Sequence, residues 1–324
     1  MLPRRPRTRL GALLAALLAV AALTSACDTT FPGTRLRFAS GGPGGVYNAL
    51  ARGLSAAWEE QLGLAGTDVQ ETNGSGDNVL RLQSDKADVA ISAADVASRA
   101  ASAQRSDDPR ALVALARIYD DYLHVVVRRD SGIETLAALA GKRVAVGTRD
   151  SGTRVIADRV LAVAQLQVRE VEDNLKSSVL KLRSGEVDAF FWSGGLPTND
   201  VEALARDTPV RLLDLGDLLP QIRRSDPVYN ASSIPASTYG TGVAVATLAV
   251  PNFLLTTRAV PDELAEQLTR GLFDARDRII GSNQAVGQQN AVAAARAIDV
   301  LPGIETDPVP LHPGALAYYR SADG

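Results

Sequence analysis

Short apolar runs alternate along the chain with longer stretches whose apolar residues recur at helical spacing. The short runs predict strands over Arg35–Ala39, Val69–Thr72, Asp88–Ile91, Leu112–Ile118, Leu123–Val127, Arg143–Val146, Arg169–Val171, Ala189–Phe191 and Val210–Leu213. Helices are predicted between them, over Tyr47–Leu62, Asn78–Ser84, Asp95–Ala103, Thr135–Leu139, Thr153–Ala164, Leu175–Ser184 and Asn199–Arg206. From Val243 the pattern changes to a long strand-like run interrupted at Pro251-Asn252, followed by helices over Asp262–Ile280 and Gln284–Ala297. This alternation predicts an α/β architecture with a mostly parallel sheet. No internal repeat or low-complexity segment stands out.

The first residues follow a different pattern. Arg4, Arg5, Arg7 and Arg9 precede an apolar run of 14 residues, Leu10–Leu23. That run is short of the ~20 residues that span a bilayer and matches the apolar core of an export signal. Thr24-Ser25-Ala26 then leads into Cys27, which resembles a lipoprotein signal over residues 1–26 with Cys27 as the lipidated mature N-terminus. A diacylglycerol there supplies the two chains that stable anchoring needs. An ordinary cleavable signal is the alternative, and Arg4-Arg5 leaves the twin-arginine and general routes both open. Losing this segment removes four arginines and no acid, so the formal charge moves from −3 to −7. Residues 27–33, with Thr, Pro and Gly, read as a tether.

A chain of 324 residues is enough for two domains of about 150 residues, each with its own core. The acidic balance argues against a nucleic-acid binder with a broad basic face. Cys27 is the sole cysteine, so an intramolecular disulfide and a multi-cysteine metal site are both excluded. His124, in an apolar run, and His312, in a Pro-rich tail, read as structural. The pairs Asp107-Asp108 and Asp120-Asp121 read as solvated loop charges. Dinucleotide, P-loop, GxSxG and HExxH motifs are all missing. Neither a catalytic nucleophile–base pair nor a cofactor is indicated, and the chain does not read as an enzyme.

Three glycine-rich turns carry the remaining chemistry: Ser40-Gly41-Gly42-Pro43-Gly44-Gly45, Asn73-Gly74-Ser75-Gly76-Asp77-Asn78 and Asp150-Ser151-Gly152-Thr153. Each follows a predicted strand or its loop and opens a helix. Unpaired backbone N–H groups and the helix dipole there favour an anion. In open α/β sheets, ligands bind at the carboxyl ends of the strands.

Five stretches in order give the chain a family resemblance. They are FASGGPGGVYNALARGLS (Phe38–Ser55), NGSGDNVLRLQSDKADVAISAADVA (Asn73–Ala97), LAGKRVAVGTRDSGTRVIADRVL (Leu139–Leu161), LRSGEVDAFFWSGGLPT (Leu182–Thr198) and HPGALAYY (His312–Tyr319). With them the chain resembles the TAXI group of solute receptors, the extracytoplasmic binding proteins of TRAP transporters. The resemblance implies an α/β fold of the type II periplasmic-binding-protein kind, with two lobes of mixed, mostly parallel sheet around a ligand cleft. Residues 34–125 plus 243–324 would form lobe I and residues 126–242 lobe II. A small organic solute, a carboxylate or an amino acid, would be captured between them by a lipid-anchored monomer and passed to TRAP-type permease subunits. The implied ligand-binding set is Gly42, Gly44, Gly45, Tyr47, Ser75, Asn78, Asp95, Ser151, Gly152, Thr153, Trp192, Gly194, Gly195 and Tyr239, with Arg149 or Arg154 as carboxylate partners.

Two departures from the family pattern bear on the ligand. Ala93-Ala94-Asp95 replaces a Gln-Ser-Asp run, and Asp150 replaces a glycine at the third turn. An acid there repels an anionic solute, which leaves a less charged solute open. A sensory receptor for a membrane histidine kinase, and an enzyme on the same scaffold, are the alternative functions. A permease gene or a kinase gene next to this one would separate transport from sensing.

Overall fold

The computed structural model describes residues 29–105 and 107–322. The stretch read as a lipoprotein signal, residues 1–26, and Cys27 lie outside them. The first half of the chain builds strands β1 (Arg35–Ala39), β2 (Gly66–Gln70) and β3 (Val89–Ala93), with helices α1 (Val46–Leu62), α2 (Ser75–Gln83) and α3 (Ala94–Ser102). A long strand, β4 (Leu112–Arg128), leads to β5 (Arg143–Ala145), β6 (Arg169–Val171), β7 (Ala189–Gly194) and β8 (Val210–Leu212). Helices α4 (Gly152–Val163), α5 (Leu175–Ser184) and α6 (Asn199–Asp207) alternate with these, and α7 (Leu219–Ser225) follows. The chain returns through β9 (Asn230–Ile234) and the long β10 (Val245–Thr257). It closes with α8 (Asp262–Asp274), α9 (Arg276–Ala285), α10 (Gln289–Ala297), α11 (Val300–Gly303) and α12 (Pro313–Ala322). Among the described residues no helix is long and apolar enough to cross a membrane.

The strand order is β2-β1-β3-β10-β4-β7-β5-β6, with β8 also on β4 and β9 also on β10. Parallel pairs occupy the two ends, where β1 joins β2 and β3, and β5 joins β6 and β7. Every antiparallel pair involves β4 or β10. These two strands run from one half of the molecule into the other and change partners on the way. β4 pairs with β10 up to Tyr122, and from Tyr122 to Val127 with β7. β10 pairs with β9 up to Ala249 and with β3 from Asn252. Pro251 falls in the gap between those two partners, where its missing N–H costs little.

The two strands predicted over Leu112–Ile118 and Leu123–Val127 are therefore one. The intervening Tyr119-Asp120-Asp121-Tyr122 is part of β4, and Asp121 is 5% exposed rather than solvated. β2 begins earlier than its apolar residues suggest, because its pairing with β1 (Arg35 opposite Gly66) fixes its start on an exposed edge. The helix predicted over Asp262–Ile280 divides at Ala275. The next begins only at Gln289, after Gly287 turns the chain in the left-handed region at φ +72°. Helix α12, not predicted, starts with Pro313 and is capped by buried His312, whose Nδ1 accepts from Gly314 N–H at 3.1 Å while Nε2 faces the Val260 carbonyl at 3.0 Å. Phe31, in the stretch read as tether, donates its N–H to Leu62 at 2.8 Å and packs on the core.

Helix α1 shows how the pattern becomes packing. Val46, Leu50, Leu54, Trp58 and Leu62 recur every fourth residue and are all buried. Trp58 stacks on Phe38 of β1 with ring centroids 5.6 Å apart. Gly63, in the left-handed region at φ +58°, ends the helix.

The structure also brings out a repeat that the sequence alone does not. VLRLQSDKADVAI (Val79–Ile91) and VLKLRSGEVDAFF (Val179–Phe191) form the same helix–turn–strand unit in the two halves. Asp85 and Gly185 take the left-handed turn, and the next residues, Lys86 and Glu186, each return a 2.8 Å bond to the helix carbonyls of Arg81 and Lys181. An arginine on the neighbouring strand clamps the aspartate that follows. Arg37 Nη2 meets Asp88 Oδ1 at 2.6 Å, and Arg143 Nη2 meets Asp188 Oδ1 at 2.9 Å. Both clamps also use the arginine's own N–H and Nε on Oδ2. The repeat holds the two parallel units in the same way.

Candidate functional site

Where β4 and β10 change partners, five polar side chains meet. Tyr119 and Asp121 come from β4, Asn252 from β10, Tyr47 from the first turn of α1 and Ser75 from the first residue of α2. Ala93 N–H donates to Ser75 Oγ at 3.0 Å, and Ser75 Oγ lies 3.1 Å from the Tyr47 hydroxyl. Tyr47 donates its proton to Asn252 Oδ1, so Ser75 supplies the proton of the bond between the two hydroxyls. Asn252 is fully buried, and its Nδ2 has no partner among the described residues. Asp121 Oδ1 is also buried without a partner.

Burial pushes the Asp121 carboxyl up to about 7, and the neighbouring Asp120 and Asp95 carboxylates push the same way, while Asn252 and Tyr119 favour the ionised form. Burial and the Asp121 charge raise the Tyr47 and Tyr119 hydroxyls well above the usual range. Arg117, the cation closest along the strand, is already paired with Asp120 at 3.0 Å and Glu305 at 2.9 Å.

Loops from the two halves close over this cluster. Gly76 and Asp77 N–H, at the first turn of α2, both donate to the Asp150 carbonyl, at 3.0 and 3.2 Å. A Cβ at Gly76 would stand 2.6 Å from that oxygen, and one at Gly152 would stand 2.9 Å from Ser75 Oγ. Gly195 packs in turn on Val46 and Tyr119. Beside the loops lies a cavity of about 230 Å³, bounded by Tyr119, Tyr122, Gly195 and Leu196 on one side and by Ala293, Ala294 and Ala297 of α10 on the other.

The structure separates the residues predicted for the site into groups. Tyr47, Ser75 and Gly152 come together at the polar cluster, and Gly195 reaches it through Tyr119. Gly42, Gly44 and Gly45 shape the turn into α1, with Gly45 N–H on the Gly42 carbonyl at 3.1 Å and Gly44 at φ +81°. Asn78 is fully buried and fully used, donating to the Ser40 and Ile91 carbonyls and accepting from Thr72. Asp95 accepts from Tyr229 O–H at 2.7 Å and Val96 N–H at 2.8 Å. Burial holds its carboxyl above the usual range.

On the other half, Ser151 caps α4 through Arg154 N–H at 3.1 Å, and Thr153 Oγ1 accepts from Ser193 N–H at 3.1 Å. The Trp192 indole lies over Gly194 and donates to Thr198 Oγ1 at 3.0 Å. Tyr239 is buried in the core, where its hydroxyl accepts from Thr198 N–H at 2.8 Å and meets His124 Nε2 at 2.9 Å. It is thus a core hydroxyl. Arg154 is bound by Asp158 at 2.8 Å and Glu170 at 2.7 Å on the outer surface, which removes it as a carboxylate partner.

The sequence reading missed Asp121 and Asn252. Asp121 was concealed by its acidic neighbour and Asn252 by the preceding proline, both of which read as breaks in a strand. The usable signal was that apolar residues flank each pair on both sides.

The profile of the NMT1-like family matches residues 38–322 of this chain. Among solved structures the chain is similar to MatC from Rhodopseudomonas palustris with bound malate, at a TM-score of 0.52 and 14% identity over 90% of this chain and 97% of that one. It is also similar to the periplasmic binding protein BugD, at 0.52 and 12% over 90% and 99%. A third likeness is to the ligand-binding component of an ABC-type import system from Staphylococcus aureus with zinc bound, at 0.50 and 9% over 82% and 84%. The fold is the two-lobed, mixed α/β architecture of periplasmic binding proteins.

Proposed function

The chain belongs to the NMT1-like family, and from that premise we propose that it is an extracytoplasmic solute-binding receptor. It captures a small organic solute between its two lobes and presents it to a membrane permease. The observation that carries this reading is the partner exchange of β4 and β10. Two continuous strands join the halves, which also pack α3 against α4 in a shared apolar cluster, and a buried polar cluster lies at the junction. The change of strand partners at Tyr122 and Ala249 supports a lobe division near 125/126 and 242/243. The TAXI-type resemblance supports a TRAP-type permease as partner, and Cys27 supports lipid anchorage to the outer face of the cell membrane.

The mechanism is a population shift. A solute that touches both lobes only when they are closed binds that state more tightly and moves the equilibrium towards it. The direct contacts between Gly76, Asp77 and Asp150, and between Tyr229 and Asp95, set a closed state for the solute to reinforce. No step of bond chemistry is assigned.

Thermal unfolding of the purified protein against amino acids, carboxylates, hydroxy acids and amines tests the reading. A solute present at about 100 times its dissociation constant stabilises the protein by about 2.7 kcal/mol. A library of these classes in which no compound raises the midpoint would contradict a receptor function.

A further inference from the structure

We propose that the solute carries a cationic nitrogen, which takes its place against Asp121 Oδ1 beneath the loops that close between the lobes. This inference rests on the receptor reading above and adds to it the chemical class of the ligand.

Three observations support it. First, Asp121 is 5% exposed and its Oδ1 makes no hydrogen bond among the described residues, although the Asn252 amide and Tyr119 hydroxyl lie beside the carboxylate and favour its ionised form. Second, the backbone donors of the middle glycine turn, one of the three that suited an anion, are taken. The first-turn N–H groups of α2 are on the Asp150 carbonyl, and the Ser75 hydroxyl is engaged with Tyr47 and Ala93. Third, the local charge is negative. Asp120 and Asp95 are the charged neighbours that act most strongly on Asp121, and Arg117 and Arg154 are committed to other carboxylates. A dicarboxylate would bring like charge into this environment, whereas an ammonium or amidinium supplies the missing donor and the missing counter-charge together. The aromatic faces of Tyr47 and Tyr119, which meet edge-on at 6.4 Å, add a surface suited to a cation.

The test is calorimetric binding of putrescine, agmatine, arginine and choline, with malate and 2-oxoglutarate as the opposing set, to the wild-type protein and to Asp121→Asn. The inference expects at least one cation to bind and no dicarboxylate to do so. Asp121→Asn should weaken that binding about 100-fold, since an unpaired charge is then left in a desolvated site. Tyr47→Phe, which retains the carboxylate, should weaken it far less. Binding of a dicarboxylate with none of the cations, or a cation bound equally by wild type and Asp121→Asn, would overturn the inference and leave the receptor reading intact. Failure of all six is also a result against the inference, while the receptor reading then stands or falls on the wider thermal screen.

Discussion

Asp121→Asn should stabilise the solute-free protein at pH 8 by about 2–4 kcal/mol, a rise in midpoint of roughly 3–6 °C. A carboxyl whose folded value is raised from 3.8 to about 7 is bound to its proton more tightly in the folded state than in the unfolded one. Its contribution to stability is complete below pH 3.8 and is lost as pH rises through 7. Above pH 7 the folded protein holds a buried carboxylate without a counter-charge, and asparagine removes that cost while keeping the shape. The gap between variant and wild type should therefore be small at pH 4, widen up to pH 7 and stay level beyond it. Urea unfolding at a series of pH values measures it. An Asp121→Asn protein no more stable than wild type at pH 8 would show that the carboxylate is compensated. A group that weakens the fold while occupying the junction of two lobes fits a role in binding, because functional sites are commonly retained at a cost in stability.

His124→Phe should act with the opposite dependence on pH. His124 is fully buried, with Nδ1 2.8 Å from the Tyr122 carbonyl and Nε2 2.9 Å from the Tyr239 hydroxyl. A consistent proton arrangement follows. Nδ1–H donates to Tyr122, Tyr239 O–H donates to Nε2, and Thr198 N–H donates to the Tyr239 oxygen at 2.8 Å. This chain ties the lobe-crossing strand β4 to the loop after β7 that borders the cavity. It requires neutral imidazole, and burial pushes the ring down to about 4.

A base whose folded value is depressed gives stability that is present above pH 6.5 and lost as pH falls towards 4. Phenylalanine fills the space, breaks the chain and does not titrate. The variant should be less stable than wild type by about 2–4 kcal/mol at pH 8. That gap should shrink by about 3 kcal/mol between pH 6.5 and pH 4. A gap independent of pH would mean that the ring is not held neutral by burial. Between pH 4 and 6.5 His124 and Asp121 push the wild-type stability in opposite directions, so the single variants reveal slopes that the wild type conceals.

The βα alternation was legible because each strand and helix carried its own periodicity. Helix α1 was legible to within a residue at its start, since its apolar residues recur every fourth position and Gly63 stops it. The long strands were not. β4 runs for 17 residues, far beyond the usual length of about 5–6, and its central Asp120-Asp121 looks like a loop when the partner strands are unknown. Pro251 misleads in the same way, because the gap between β9 and β3 that accommodates it exists only in three dimensions. The repeat of α2–β3 in α5–β7 was obscured by the exchange of Asp85 for Gly185 and Ser92 for Trp192, although both copies build one turn and one clamp.

For the site, the sequence shows which groups are present but not which of them pair with one another. The glycine turns do present helix N-termini, yet two of the three turn towards each other, and the Asp150 carbonyl takes the Gly76 and Asp77 donors of α2. Tyr239 carries a hydroxyl donor, as expected, but spends it on His124. Only tertiary proximity distinguishes a hydroxyl that faces a ligand from one that completes a core.

The central claim is a solute-driven closure of two lobes about β4 and β10. Leu80 and Leu180 occupy the same place in the repeated helices, one in each half, and are 55% and 54% exposed. Spin labels at Leu80→Cys and Leu180→Cys, with Cys27→Ser to remove the remaining thiol, report the distance between the halves. Without solute the distribution should be broad, and it should collapse to a single distance when a solute identified by thermal stabilisation is saturating. An identical distribution with and without that bound solute would contradict it.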